Sequence, residues 1–448
     1  MYLTSIIMRI SILIIITLFF KTFSVFAQWS NASLQSNRSL LAAASVGDKA
    51  MFGGGIGMIS IPPPALDIYT QTSNQWSTAQ LSQGRTSLAA ASTGNWILFG
   101  GGANDWILST YERVDIYNAT TGTWTNGNLL STPRSHLAAA GCGSKILFGG
   151  GAFIMQNILN NTVDIFDTAT QTWSTGSLSV ARYKLAAAAA GNLVLFAGGE
   201  DLSGFVYNTV DIYNVTTGLW TTDTLSVPRS NLAATSLGNK IYFGGGINNI
   251  GALSNVMDIY DVSTNTWSVD TLSKARQYLT AAATMGKVFF AGGTDISQLS
   301  GSTVVDILDT TTHIWSSTSL TTGRMMCAAT ALGNQFLIAG GLSSSSAAPL
   351  SSVEIYTITS TGLEPVSEKS LFTVFPNPAN SAITVQLSNN QRDLTVELTD
   401  LRGRKVYNKV FAPLSITLTV NTSKFDRGIY FLKITDNRQT LTQKIILE

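Results

Sequence analysis

The chain has 448 residues, of which 12% are charged, and its formal net charge at pH 7 is +1. This length exceeds one ordinary hydrophobic core, so two or three folded units are expected. The near-zero net charge supplies no long-range field that would attract nucleic acid or an anionic membrane, and neither is predicted as a partner.

The first residues are typical of an export signal. Arg9 precedes the apolar run 10–20, and residues 25–27 place small side chains around a cleavage point. The run is shorter than the roughly 20 residues that cross a bilayer as a helix, which favours a cleaved signal over a retained anchor. Residues 1–27 are therefore predicted to be a signal peptide, and the mature chain from Gln28 is predicted to contain no transmembrane segment.

A repeat of about 48 residues fills most of the remaining chain. Each unit opens with an arginine, and successive arginines are 47 to 49 residues apart. A small-residue strand such as 137–140 follows, then an apolar strand ending in glycines such as 146–151, a long connection, and a third strand such as 163–166. The arginines are Arg38, Arg85, Arg134, Arg182, Arg229, Arg276 and Arg324.

A tryptophan marks the fourth strand of a unit, at Trp76, Trp124, Trp173, Trp220, Trp267 and Trp315. The seventh unit lacks one, whereas Trp29 stands alone near the N-terminus. Trp29 is followed by Leu34 and Arg38 much as Trp173 is followed by Leu178 and Arg182. The N-terminal strand is therefore expected to complete the seventh unit.

Four short strands per unit cannot cover their own apolar faces, so neighbouring units must bury them. Alanines on the first strand suit a position near a central axis, where converging strands leave little room. Closing the array into a ring also removes exposed sheet edges. The predicted fold is all-β: a seven-bladed β-propeller over residues 28–359, closed by the N-terminal strand.

The repeat resembles that of the kelch family, which pairs a glycine doublet with a spaced tyrosine and tryptophan. In the second unit these are Gly101-Gly102, Tyr117 and Trp124. The resemblance implies a kelch-type propeller on which inter-blade loops and the long connections after the glycines share one face. Kelch proteins that bind peptides use that face.

One position differs chemically in every unit: two residues after the arginine stand Leu40, Ser87, His136, Lys184, Asn231, Tyr278 and Met326. Because propellers carry function on loops held by a rigid scaffold, His136, Lys184, Asn231 and Tyr278 are predicted to contact a protein or glycan ligand. The long connections add the candidates Trp106, Tyr111, Arg113, Phe205 and Tyr207. Packing of loop on loop is the alternative explanation for these aromatics.

A carboxylate follows each arginine after 29 or 30 residues, at Asp67, Asp115, Asp164, Asp211, Asp258, Asp306 and Glu354. Two interpretations are open. The arginines could ring one mouth of the channel and bind an anionic ligand, or each could form an ion pair that holds its blade. The matched carboxylates favour the ion pairs.

Catalysis has little support in the sequence. The two histidines lie in different units, as do the two cysteines, so neither the ligand cluster of a copper radical oxidase nor any other metal site is predicted. The segment 119–124 keeps only the end of a sialidase box. No catalytic residue or cofactor is predicted, and a carbohydrate-active enzyme resembling kelch sugar epimerases is the alternative to a binding protein.

The repeat stops near Ser360, and residues 360–370 are predicted to be a linker. Alternating apolar and polar residues then predict a small antiparallel β-sandwich over 371–448. This segment resembles the type A C-terminal sorting domain of the type IX secretion pathway, on residues that include Pro376, Asn377, Pro378, Gly403, Gly428, Tyr430 and Lys444. The resemblance implies passage through the periplasm, the type IX machinery as partner, and a product that is released or attached to the cell surface.

Overall fold

The computed structural model describes residues 29–58, 61–104, 109–295, 301–343, 348–359, 372–387, 394–411, 417–435 and 440–448. Contacts divide the chain into two units, Met1–Thr359 and Ser360–Glu448. The predicted signal peptide and linker lie outside the described residues. Within the ranges given above, no helix has the length and apolar character needed to cross a bilayer.

Each repeat of the first unit forms one antiparallel sheet, or blade, and seven such sheets occur among its described residues. The strands before and within the first three blades are β1 (Trp29–Ser33); β2 (Ala42–Val46), β3 (Lys49–Gly53), β4 (Ala65–Thr70) and β5 (Gln75–Gln80); β6 (Ala89–Thr93), β7 (Trp96–Gly100), β10 (Arg113–Asn118) and β11 (Thr123–Leu129); β12 (Ala138–Cys142), β13 (Lys145–Gly149), β16 (Thr162–Asp167) and β17 (Thr172–Ser177).

The remaining four blades follow the same plan, and their strands are β18 (Ala186–Ala190), β19 (Leu193–Ala197), β20 (Thr209–Asn214) and β21 (Trp220–Thr224); β22 (Ala233–Leu237), β23 (Lys240–Gly244), β24 (Val256–Asp261) and β25 (Thr266–Thr271); β26 (Gln277–Thr284), β27 (Lys287–Thr294), β28 (Ser302–Asp309) and β29 (Ile314–Met325); β30 (Ala328–Leu332), β31 (Gln335–Ala339) and β33 (Ser352–Thr357).

Short elements decorate the long connections between second and third strands. They are the hairpin β8 (Ala103–Asn104) with β9 (Ser109–Thr110), the hairpin β14 (Ala152–Phe153) with β15 (Ile158–Leu159), the 3-10 turn Ile154–Gln156, and β32 (Leu342–Ser343), which pairs with the end of β29.

The seven blades close into a ring. The first strands contact one another in the order β2, β6, β12, β18, β22, β26 and β30, and β30 in turn contacts β2. The N-terminal strand β1 pairs with β33, with Trp29 opposite Tyr356, and becomes the outer strand of the last blade. The ring is thus closed where the first strand of this unit pairs with its last long strand.

Apolar layers between adjacent blades form the core. Between the first and second blades, Met51 and Leu66 pack with Phe99 and Tyr117, all within 5% of full burial. The glycine doublets permit the close approach that this packing needs. A Cβ on Gly54, whose φ is +69°, would lie 2.6 Å from the Arg85 carbonyl oxygen of the next blade. The doublet therefore marks a contact between blades that a larger residue would block.

The second unit contains a three-stranded and a four-stranded antiparallel sheet, in the orders β34-β35-β38 and β37-β36-β39-β40. Val385 and Leu418 from the first sheet share a core with Val396 and Leu432 from the second. The strands are β34 (Phe372–Phe375), β35 (Ala382–Leu387), β36 (Leu394–Asp400), β37 (Lys405–Phe411), β38 (Thr417–Asn421), β39 (Gly428–Thr435) and β40 (Thr440–Leu447). Two sheets that share one core make this unit a small β-sandwich.

Replacement of Trp29 tests the closing strand. Its ring lies 5.1 Å from that of Tyr356, and Nε1 donates to Thr318 Oγ1 at 3.2 Å. Trp29→Ala should lower the free energy of unfolding by about 2–4 kcal/mol. This is at or below the range for fully buried aromatic residues, because the Trp29 ring is only half-buried. Thermal unfolding followed by circular dichroism should show a fall in Tm similar to that of Trp173→Ala. A Tm equal to that of the wild type would contradict closure by β1.

Candidate binding site at the channel mouth

The residues two positions after the repeat arginines form a closed ring of backbone hydrogen bonds, here called the mouth ring. Each N–H donates to the carbonyl oxygen of the equivalent residue in the preceding blade, at N···O distances of 2.9–3.1 Å. All members have φ between +52° and +57°. This conformation costs a residue with a Cβ about 1–2 kcal/mol, a strain that the shared hydrogen bonds offset. The members are Leu40, Ser87, His136, Lys184, Asn231, Tyr278 and Met326.

A cavity of about 300 Å³ opens inside the mouth ring. The next residue of each blade forms its floor: Leu41, Leu88, Leu137, Leu185, Leu232, Leu279 and Cys327. Each leucine is 7% exposed. Burial raises the pKa of the Cys327 thiol to about 11, so it stays protonated and acts as a small apolar group. The floor of the cavity is therefore apolar.

Polar and apolar members of the mouth ring are segregated. Consecutive blades supply the polar arc, which consists of Ser87, His136, Lys184, Asn231 and Tyr278. Ring closure places Met326 beside Leu40 as the apolar arc. The four candidates predicted from the repeat, His136, Lys184, Asn231 and Tyr278, thus come together in one cavity.

Lys184 carries the only charge among the cavity-lining residues, and that charge is compensated. Its Nζ lies 2.6 Å from Glu200 Oε1 and 4.7 Å from the centre of the Tyr183 ring, while Ser230 also donates to Glu200. Burial favours neutral Lys184, but Glu200 outweighs it and raises the lysine pKa. Burial likewise opposes ionised Glu200, yet bonds from Lys184 and Ser230 lower its pKa. The pair remains ionised and nearly neutral overall at pH 7.

Other groups of the polar arc retain hydrogen-bonding capacity. Ser87 is 9% exposed, and its buried Oγ has no hydrogen-bond partner in the part of the chain that the structure describes. The Asn231 amide nitrogen makes only long bonds, of 3.4 Å to Ser230 Oγ and 3.5 Å to Gln277 Oε1. His136 Nδ1 lies 3.1 Å from Ser135 Oγ. A buried hydroxyl without a partner usually indicates water or a ligand at that place.

The long connections lie on the same face as the mouth ring. Isolated bridges tie the residue after the arginine to the residue after the glycines, as in Thr86 with Ala103 and Tyr183 with Glu200. Blade order and antiparallel pairing therefore bring both kinds of loop to one side of the ring. We call this side the mouth face.

The candidates on the long connections are placed differently from one another. Phe205 is 54% exposed, and its ring lies 5.0 Å from the half-buried Tyr207, whose hydroxyl donates to Asp201. Tyr111 is half-buried and Arg113, at the start of β10, is exposed. Trp106 lies outside the described residues. Loop packing thus accounts for Tyr207 in part, while Phe205 faces solvent.

The mouth face also carries exposed aliphatic residues that the sequence interpretation missed. Six large aliphatic side chains of the long connections are between 44% and 87% exposed: Met58, Ile61, Ile154, Met155, Ile158 and Ile250. On these connections only aromatic residues and Arg113 were predicted from the sequence. The sequence did contain a signal for them, namely apolar residues that lack strand periodicity and are flanked by turn residues. Such residues are candidates for an exposed apolar patch.

The opposite face carries several paired charges at strand ends. Lys145 pairs with Asp167 at 2.8 Å and Lys287 with Asp309 at 3.0 Å, and the Lys287 hydrogen bond lowers the pKa of Asp309 to about 2. Lys240 forms the equivalent pair with Asp261, whereas Lys49 pairs with the adjacent Asp48. Three large exposed apolar residues occur among the described residues of this face, Leu219, Met285 and Ile314. The two faces therefore differ in chemistry.

The repeat arginines lie beneath the mouth ring, inside the blades. In the third blade, Arg134 Nη2 donates to Asp164 at 2.6 Å and to the Phe148 carbonyl at 3.1 Å, and Nη1 donates to the Thr132 carbonyl. Asp164 also accepts the Ser131 backbone N–H at 3.0 Å. Burial lowers the pKa of Arg134, and the Asp164 charge partly offsets that effect. All seven arginine side chains are fully buried beside their carboxylates, so they do not line the cavity.

Metal-ligating residues are dispersed. Across the described ranges, no three histidine, cysteine, aspartate or glutamate side chains come together in a way that could hold a metal ion. Cys142 and Cys327 are both free thiols.

The residues singled out in the C-terminal unit have local structural roles. The Asn377 side chain donates to the Lys444 carbonyl at 2.9 Å and accepts the Ile446 N–H at 2.8 Å, which ties the segment after β34 to β40. Pro376 and Pro378, on either side of Asn377, both follow cis peptide bonds. The Tyr430 hydroxyl donates to the Asp426 carbonyl at 2.7 Å.

Turn glycines complete this set. Gly403, with φ of +77°, occupies the turn between β36 and β37, and Gly428, with φ of +146°, begins β39. Both conformations are ones that glycine adopts readily.

Comparison with known families agrees with both units. Residues 135–341 match the KLHDC2/KLHL20/DRC7 Kelch-repeats domain, and residues 373–448 match the Secretion system C-terminal sorting domain. No curated protein matches the chain. The chain thus carries kelch repeats in an all-β propeller and a type IX sorting domain, which confirms both predicted resemblances. Type IX secretion takes it to the cell surface or the medium.

Replacement of a repeat arginine tests whether the buried pair is structural. Arg134→Met would leave Asp164 buried without its cation, and removal of one member of such a pair costs about 3–5 kcal/mol. A lower Tm is expected, whereas the exposed Arg113→Met should change stability by less than about 0.5 kcal/mol. An Arg134→Met protein that keeps the wild-type Tm but loses ligand binding would favour the anion-binding interpretation.

Proposed function

We propose that this exported kelch propeller is a binding protein whose mouth face receives an extracellular protein or glycan. The observation that carries the proposal is the mouth ring. Backbone hydrogen bonds hold seven side chains around one cavity, and every blade supplies a different residue type there. By contrast, the position two residues earlier is arginine in all seven units, and the position one residue later is leucine in six of them. A scaffold that repeats beneath a surface that varies suits specific recognition.

The difference between the two faces supports the same proposal. Exposed apolar patches on soluble proteins are typical of interaction sites, whereas paired surface charges favour solvation. Exposed apolar residues, among them Met155, Ile158 and Ile250, lie on the mouth face together with the Lys274–Asp295 pair, whereas the cross-strand pairs Lys145–Asp167 and Lys287–Asp309 lie on the opposite face. A ligand larger than the cavity would contact these apolar residues as well as the mouth ring.

The alternative function, a carbohydrate-active enzyme that uses arginine and glutamate, has weaker support. The seven repeat arginines are buried in ion pairs, and Glu200 near the mouth is bonded to Lys184 and Ser230. Groups that already satisfy one another are poorly placed to exchange protons with a substrate. Binding without turnover is therefore the function that we favour.

Lysine substitutions on the two faces test the proposal. Met155→Lys and Ile158→Lys place charges on the mouth face at exposed positions, so stability should change by less than about 0.5 kcal/mol. Leu219→Lys and Ile314→Lys are the matched changes on the opposite face. Ligands found on arrays of glycans and purified extracellular proteins should bind the mouth-face variants at least 10-fold more weakly. Equal losses on both faces would contradict a mouth-face site.

Removal of residues 360–448 tests the sorting function. Because the sorting domain is what addresses the chain to type IX secretion, the truncated protein should accumulate in the periplasm instead of reaching the surface or medium. Immunoblots of cell fractions measure the distribution, and the full chain carrying Leu219→Lys serves as the exported control. Normal amounts of truncated propeller in the medium would show that the C-terminal unit is not the export signal.

A further inference from the structure

The N–H groups of the mouth ring are not available to an anion. Anion sites made from main chain need N–H groups that point at the ligand. In the mouth ring every N–H already donates to a neighbouring carbonyl, at 2.9–3.1 Å. Recognition by the mouth ring must therefore come from its side chains.

The side chains likewise offer no net charge. Lys184 is the only charged residue that lines the cavity, and Glu200 neutralises it at 2.6 Å. A carboxylate or phosphate that competed for Lys184 would have to displace Glu200 and leave that carboxylate without its cation. Displacement of one charge by another brings no net gain, whereas a neutral ligand leaves the pair intact.

The groups that remain unused are neutral hydrogen-bonding groups. Ser87 Oγ is buried without a partner among the described residues, and both Ser87 and Tyr278 line the cavity. Asn231 makes only its two long bonds. In the mouth ring Tyr278 is the neighbour of Met326 and Ser87 is the neighbour of Leu40, so these polar groups flank the apolar arc on both sides.

The arrangement matches a ligand whose hydroxyls lie around the rim of an apolar C–H surface. The volume, about 300 Å³, lies at the lower end of the range of about 300–1,000 Å³ typical of small-molecule pockets. One or two sugar rings fit such a space. A sugar ring also combines neutral hydroxyls with an apolar face that packs on aromatic and aliphatic side chains.

We propose that the mouth cavity holds a neutral hexopyranose at the end of a glycan, its hydroxyls bonded to Ser87, Asn231 and Tyr278 and its C–H face against Met326 and Leu40. This inference rests on the proposed function, because it specifies the ligand class for the same mouth face. Acidic sugars are excluded by the neutral, main-chain-saturated ring.

The first test compares two probes that differ by one carboxylate. Methyl β-D-glucopyranoside and methyl β-D-glucuronide, with the methyl galactoside and mannoside beside them, are titrated into the full chain by calorimetry and ligand-observed NMR. At least one neutral hexoside should bind, at least 10-fold more tightly than the glucuronide. Equal or tighter binding of the glucuronide, or no binding of any neutral hexoside, would overturn the proposal.

The second test uses single-atom variants. Tyr278→Phe and Ser87→Ala should each weaken the bound hexoside about 3- to 10-fold, the value of one hydrogen bond. Ser87→Ala should also raise Tm, because it removes a buried hydroxyl that has no partner in the free protein. Unchanged affinity in both variants would place the sugar elsewhere.

Matched controls separate the two effects. Ser36→Ala removes another unpartnered buried hydroxyl that does not line the cavity, so it should raise Tm without changing affinity. Tyr213 is a buried tyrosine of the fourth blade, and the third blade has Phe166 at the equivalent position. Tyr213→Phe should therefore change neither Tm nor affinity.

The outcomes also distinguish this inference from the broader proposal. If no hexoside binds but Met155→Lys abolishes binding of an extracellular protein, the mouth face is a protein-binding site and only the sugar assignment is wrong. If neither sugars nor proteins respond to changes on the mouth face, both proposals are wrong.

Discussion

A buried arginine–carboxylate pair in every blade is the interaction on which the propeller depends. The arginine comes from the segment that leaves one blade, and the carboxylate from the third strand of the next. Between them they also bond backbone carbonyls such as that of Phe148 and the N–H of Ser131. Buried charges are costly unless hydrogen bonds compensate them, and here both Nη groups of Arg134 are bonded while its Nε has no partner among the described residues. Here the pair organises the inter-blade crossing, where regular strand pairing is interrupted.

This support leaves the mouth ring free to vary. Main-chain hydrogen bonds define its geometry, so Leu40, Lys184 and Tyr278 adopt the same left-handed conformation despite unlike side chains. The glycine doublets and the leucine floor meet the packing requirements below. Structural demands are thus met by residues that repeat, and the cavity chemistry is set by residues that do not.

Closure and face asymmetry complete this division. The strand bearing Trp29 lies at the outer edge of the last blade, far along the sheet from the cavity-lining strands. The paired charges of the opposite face and the apolar tips of the mouth face then give the ring two different surfaces. Exposed apolar residues grouped on one face of a soluble protein are typical of an interaction surface, in agreement with the mouth-face site that we propose.

Much of this could be predicted from the sequence, because the signals are local and repeated. The spacing of the arginines, the glycine doublets and the tryptophans determined the repeat, the number of units and the expected role of β1, and the C-terminal motifs determined the sorting domain. The sequence also placed His136, Lys184, Asn231 and Tyr278 at equivalent positions.

Tertiary structure decided the rest. Leucine, lysine and tyrosine do not predict a left-handed residue, which only the closed hydrogen-bonded ring imposes. Pairing of Lys184 with Glu200, the unpartnered Ser87 Oγ and the exposure of Met155 depend on how the loops of the mouth face fold, and no local sequence pattern encodes that arrangement.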